Sequence, residues 1–126
     1  METYYFNVDP VAKPRMTQRD KWKGRSIVNR YNAYKDLMTL GSNQMHTGDI
    51  PTTIESLIFY IKMPESWSKK KKEAMNGRGH QQTPDLDNLL KAFQDALCKK
   101  DQHIYSIKCL GKYWAEEGAI LLTLNT

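Results

Sequence analysis

Only two cysteines, Cys98 and Cys109, occur in the 126 residues, and they form no C-x-x-C pair. One conceivable disulfide is a poor framework for a chain of this size, so a disulfide-stapled class is set aside and a reducing compartment is expected. The three histidines show no H-x-x-x-H spacing and no cysteine partners, which excludes the common zinc signatures. Neither cysteine has an evident base beside it, so a thiol or serine nucleophile is not indicated. Long apolar runs are missing: the stretch 119–122 is among the longest and is far too short to cross a bilayer. The first residues, METYYFNVDP, lack a basic segment followed by an apolar one. No membrane association is expected, and the cytoplasm is the expected location. There is no internal repeat.

What is present is an excess of positive charge. Lys and Arg outnumber Asp and Glu by 19 to 14, a net charge of +5, and such a field favours polyanions such as nucleic acid. Apolar residues make up 40% of the chain, enough for one ordinary core, and the length lies below that at which cores divide. A single domain over 1–126 is expected.

Hydrophobic periodicity orders the elements. The stretch 3–8 (TYYFNV) is aromatic and β-prone, and 54–61 (IESLIFYI) is apolar enough for a central strand. Between them, Tyr31, Tyr34, Leu37 and Met38 recur at helical spacing, predicting a helix over 30–39 with Gly41 as its stop signal and a loop over 41–51. Ser66 or Ser68 can cap a short basic helix that Gly77 and Gly79 end. Leu86, Leu89, Leu90, Phe93 and Leu97 mark one face of a helix over 87–97. The runs 103–114 and 118–124, on either side of Ala115-Glu116-Glu117, read as an antiparallel hairpin. This order predicts an α+β fold: a single sheet of about four strands with helices packed against it.

Within this basic chain, residues 83–105 hold four of the eight aspartates: Asp85, Asp87, Asp95 and Asp101. Asp85 and Asp87 stand where a helix begins, so capping and the helix dipole explain either one, and explain both less well. Two aspartates at i and i+2 across a loop-to-helix junction also suit Mg²⁺, which takes hard oxygen ligands and keeps several waters. Lys91 is one turn after Asp87; it forms an i,i+4 ion pair or sits beside a metal site and holds a phosphate, and spacing alone does not separate the two. Asp95, two turns on at roughly 12 Å, is too far from Asp87 to share a metal and reads as structural.

The run Pro84-Asp85-Leu86-Asp87-Asn88-Leu89-Leu90-Lys91-Ala92, followed by Asp95-Ala96-Leu97 and by Asp101 before Ile104, resembles the RusA family of Holliday-junction resolvases. Lys13-Pro14-Arg15 and Ser66-Trp67-Ser68-Lys69-Lys70-Lys71 extend the resemblance over most of the chain. It implies a RusA-like mixed sheet and a Mg²⁺-dependent endonuclease acting as a homodimer on branched DNA, the four-way junction. It also implies essential roles for Asp85, Asp87, Asp101 and Lys91, with the three aspartates as metal ligands. Where relatives often carry an acidic pair, this chain has Lys100-Asp101, so its third ligand has no acidic neighbour.

Phosphodiester hydrolysis fits such a site, because a divalent ion can activate water and offset charge on the leaving 3′-oxygen. Lys13, Arg15, Arg19, Lys21, Lys23 and Arg25, with Trp22 among them, form one basic run, and Lys69, Lys70, Lys71 and Lys72 form another. Solvated faces often look like this; beside a candidate metal site, phosphate-backbone binding is the better reading. Trp22 either packs or stacks on a base, and His103 reads as a half-buried strand residue. Two rivals stand: a metal nuclease for other branched DNA, and an inactive DNA-binding module of the same fold. For Asp101 to join Asp85 and Asp87, the expectation is that the chain reverses sharply over residues 98–100 and that Asp101 heads a strand continuing through Ile104 and points back at the amino-terminal end of the helix; the alternatives are a helix that ends early or an Asp101 donated by the partner subunit.

Overall fold

Residues 1–14, 26–45, 49–100 and 102–125 are described by the computed structural model. The second strand, β2 (Thr53–Lys62), organises the sheet. Its run TIESLIFYIK is β-branched and aromatic, with Ile54, Leu57 and Phe59 almost fully buried, which suits a strand flanked on both sides. It pairs in parallel with β3 (Ser106–Ala115) and antiparallel with β4 (Ala119–Leu124). β4 in turn pairs antiparallel with β1 (Glu2–Phe6), giving one mixed four-stranded sheet in the order β1-β4-β2-β3.

The expected hairpin between the last two strands does not form. Both strands exist, but β2 lies between them. Two β-prone runs around a short acidic link look locally like a hairpin, whereas the apolar β2 gains backbone partners on both edges by inserting between them. The link is long enough: four steps of about 3.5 Å cover the roughly 9.6 Å of two strand spacings. It passes over the end of β2, where Met63 N–H donates to Ala115 O at 3.0 Å. Gly118 is required there, since a Cβ at this position would fall 1.9 Å from Asp9 Oδ1 and 3.0 Å from its Cα.

Three helices accompany the sheet among the described residues. The first, α1 (Ser26–Gly41), is longer than predicted and buries Tyr31, Tyr34 and Met38, while Leu37 remains 50% exposed. The α-helix does end at Gly41, though without a left-handed glycine turn: φ there is −62°, and the lack of a side chain admits Phe6, whose Cδ1 would come within 2.6 Å of a Cβ. A 3₁₀ turn, Ser42–Gln44, follows. The short α2 (Lys69–Met75) buries nothing; Ser68 Oγ caps it by accepting Lys71 N–H at 3.1 Å, and Gly77 ends it at φ +83°. The third helix, α3 (Leu86–Leu97), buries Leu89, Ala92 and Phe93 completely and packs on α1.

Where α1 meets α3, one polar network is half-buried. Tyr31 Oη donates to Asp95 Oδ2 at 2.5 Å, and Lys13 Nζ pairs with the same oxygen at 3.0 Å. Burial opposes the Asp95 charge, but the Tyr31 hydroxyl and the Lys13 ammonium outweigh it and hold the carboxyl below the usual range. Tyr34, one turn from Tyr31, has a buried hydroxyl with no partner, and burial pushes its ionisation well up. The two tyrosines therefore differ in what a hydroxyl deletion removes. Tyr31→Phe is expected to lose about 1.5 kcal/mol in urea unfolding, whereas Tyr34→Phe is neutral or stabilising. Because the Asp95 pKa is depressed on folding, the Tyr31→Phe penalty is complete above about pH 4. It shrinks as pH falls through the lowered folded value.

Candidate active site

With β3 at the edge of the sheet, its far end is covered by the chain that follows α2. Gly77 N–H donates to Trp114 O (2.9 Å), Trp114 N–H to Arg78 O (2.9 Å) and His80 N–H to Lys112 O (3.0 Å), with a bridge between Gly79 and Tyr113. This strip leads into the loop before α3. There Lys112 Nζ donates to Gln82 O and to Pro84 O, both at 2.6 Å. The loop ends at Asp85.

Asp85 occupies the N-cap position of α3 with extended backbone (φ −70°, ψ 145°), and its carbonyl accepts Leu89 N–H at 3.1 Å. Its carboxylate caps nothing. Asp87 stands in the first turn and Lys91 one turn later. All three side chains are exposed, and among the described residues none has an ion-pair or hydrogen-bond partner. Helix capping by Asp85 and an Asp87–Lys91 ion pair, the structural explanations of these residues, are thus both absent. Two free carboxylates at the positive end of a helix dipole fit a hard divalent cation that keeps several waters. Among the described residues no third His, Cys, Asp or Glu completes a metal-holding group.

Asp101 lies outside the described residues. Lys100 and Gln102 on either side line a depression with Asp49, Ile50, Leu97 and Cys98, at the carboxyl-terminal end of α3. His103 N–H donates to Lys100 O at 3.2 Å and His103 Nε2 contacts Ile50 O at 2.5 Å, so the chain does turn beyond the helix. Further along, Lys112 reaches the carbonyl of Pro84, just before α3.

A family model for the endodeoxyribonuclease RusA matches residues 7–125. The chain belongs to the RusA endodeoxyribonuclease family. No individual curated protein matches it. RusA-family nucleases act on branched DNA and are generally divalent-metal dependent. The four-stranded mixed sheet with three helices agrees with a RusA-like fold.

The basic residues of this RusA-family chain are unequally engaged. Arg15, Arg19, Lys21, Trp22, Lys23 and Arg25 lie outside the described residues. Lys13 is tied down: its N–H donates to Asn88 O at 3.2 Å, on the first turn of α3, and its ammonium holds Asp95. On α2, Lys72 faces Glu65 at 3.8 Å while Lys69 and Lys70 are exposed. Lys71 Nζ stands 4.2 Å from the Trp67 ring centroid, Trp67 packs on Trp114 (4.7 Å), and Trp114 on His80 (4.2 Å). His80 is buried with Nδ1 unpaired, and burial, then the Lys112 charge, push its pKa down.

Sequence reasoning singled out Asp85, Asp87 and Lys91 and gave no sign of the contacts of Lys112 and His80. Lys112 sits on a strand 28 residues from the carbonyl it holds, so no local spacing announces it. No helix among the described residues is long and apolar enough to cross a membrane. Because the Asp85 carboxylate makes no capping bond, Asp85→Ala is expected to cost well below the ~1 kcal/mol typical of a lost N-cap when measured by urea unfolding. A full capping loss would show that the carboxylate serves the helix.

Proposed function

We propose that this chain is a Mg²⁺-dependent, structure-selective endonuclease that resolves Holliday junctions by paired symmetric nicks, acting as a cytoplasmic homodimer in DNA recombination and repair. The observation that carries the reading is Asp85: it stands at an N-cap with its backbone fixed and its carboxylate left free. Asp85 and Asp87 are the ligands on this chain, and a divalent ion held by them supplies water activation and offsets charge on the leaving 3′-oxygen. Lys91, unpaired one turn along, holds a non-bridging phosphate oxygen and stabilises its growing charge. Lys69, Lys70 and Lys71, with Arg15, Arg19, Lys21 and Lys23 of the first basic run, neutralise flanking phosphates without reading bases, while Lys13 serves Asp95.

A two-fold dimer matches a four-way junction, whose resolution needs two symmetric nicks. The position of Lys100 and Gln102 at the far end of α3 supports a site shared between subunits. Two α3 helices related by an axis across their middles would bring Asp101 of the partner subunit to Asp85 and Asp87.

Asp85→Asn and Asp87→Asn are expected to abolish Mg²⁺-dependent cleavage while junction binding stays equal or tightens, since each removes a ligand and a repulsion toward phosphate. Cleavage assays on junction, fork, flap and duplex DNA check this; wild-type rates in either variant, or no preference for the junction, would sink the reading. Cleavage by neither wild type nor variants on any substrate would favour the inactive DNA-binding module. Mixing inactive Asp85→Asn and Asp101→Asn dimers under exchange conditions is expected to recover nicking, because one site of each mixed dimer is then intact. A mixture that stays dead would assign all three carboxylates to one subunit.

A further inference from the structure

Lys112 lies on an edge strand but on the inner face of the sheet: it pairs across β2 with Phe59, which is fully buried, and its alternate neighbour Trp114 is buried as well. Lys112 itself is half-buried, and an ammonium partly withdrawn from water there is served by polar partners. Lys112 finds them in two backbone carbonyls, Gln82 O and Pro84 O at 2.6 Å each, the second of which belongs to the peptide unit that ends at Asp85. That unit is planar, so holding its oxygen orients the N–Cα bond of Asp85. On the other side, the Leu89 N–H bond to Asp85 O fixes the next peptide. Asp85 is thereby clamped at both flanking peptides, once by the helix and once by Lys112. The anchor is itself rigid, since the Lys112 backbone is in register with β2 and its carbonyl accepts His80 N–H.

We propose that Lys112 is a positioning residue that sets the direction of the Asp85 carboxylate, so that the metal site is assembled before DNA arrives. The proposal rests on Asp85 being a metal ligand. Without the ammonium, the two carbonyls are free to turn to water, the peptide before Asp85 rotates, and the carboxylate leaves its aligned orientation. Affinity for the ion then falls, because part of the binding energy goes into re-ordering the loop.

The test compares wild type, Lys112→Met and Lys112→Arg. Mn²⁺ binding to the protein alone is followed by electron paramagnetic resonance, amide hydrogen exchange over residues 82–87 by mass spectrometry, and junction affinity in EDTA. Lys112→Met is expected to raise the Mn²⁺ dissociation constant at least fivefold and to speed exchange over 82–87. Exchange in β2 and junction affinity should stay within twofold, and Lys112→Arg, which keeps donors for the carbonyls, should restore most of the Mn²⁺ affinity. If Lys112→Met does not fold, Lys112→Gln, which keeps one donor, gives the same readings to a smaller extent. Unchanged Mn²⁺ affinity in a folded variant overturns the proposal. So does a fall in junction affinity with a shallower salt dependence, which would make Lys112 a phosphate contact. If wild type itself binds no Mn²⁺, the metal reading of Asp85 fails; the exchange data alone then report whether Lys112 holds the loop, and unaltered exchange overturns that part too.

Discussion

The double pairing of β2 is the constraint on which the rest of the structure depends. A strand that buries Ile54, Leu57 and Phe59 cannot leave an edge open without exposing a long apolar template, so it takes β3 on one side and β4 on the other. That choice separates β3 from β4 and sends β3 to the rim. The rim then needs cover, and the strip from Gly77 to His80 supplies it with three backbone hydrogen bonds. From this strip the chain has only a few residues before α3, and Lys112 holds them. The position of Asp85 is therefore a late consequence of how β2 satisfies its two edges.

The period of α3 divides its duties between core and surface. Leu89, Ala92 and Phe93 face inward and lose all solvent, which fixes the helix against α1 and the sheet. Asp87 and Lys91 share the outer side, one turn apart, and Asp95 continues that row. The row is not uniform. Asp95 is drawn into the α1 contact by Tyr31 and Lys13, so its charge serves the fold. The two residues nearer the amino-terminal end remain uncommitted.

A similar sorting applies to the positive charges. Lys13 is committed to Asp95 and Lys72 leans toward Glu65, which also holds Lys62 at 3.1 Å. Their neighbours on α2 remain exposed, and Trp67 with Trp114 anchors that helix to the rim of the sheet beside His80. The basic helix and the loop to Asp85 thus share one support, the end of β3. Phosphate contacts at α2 and chemistry at Asp85 are in this way tied to a common strand.

Much of this was legible in the residues. The leucine and phenylalanine spacing gave α3, Ser68 and Gly77 bracketed α2, and the aspartate run with Lys91 carried a family resemblance that the match over 7–125 supports. Such features are local: a period, a cap or a motif is complete within a few turns of chain. What stayed hidden depends on which distant segments meet. The hairpin expected from two β-prone runs was displaced by a strand some 50 residues earlier, and Gly41 turned out to make room for Phe6. Whether Asp85 caps its helix, whether Lys91 pairs with Asp87, and which cation holds the loop before them were likewise decided only by tertiary contacts. Sequence determines which groups are available and at what spacing along the chain; folding determines which of them are already satisfied, and only those left unsatisfied can bind a metal or a phosphate.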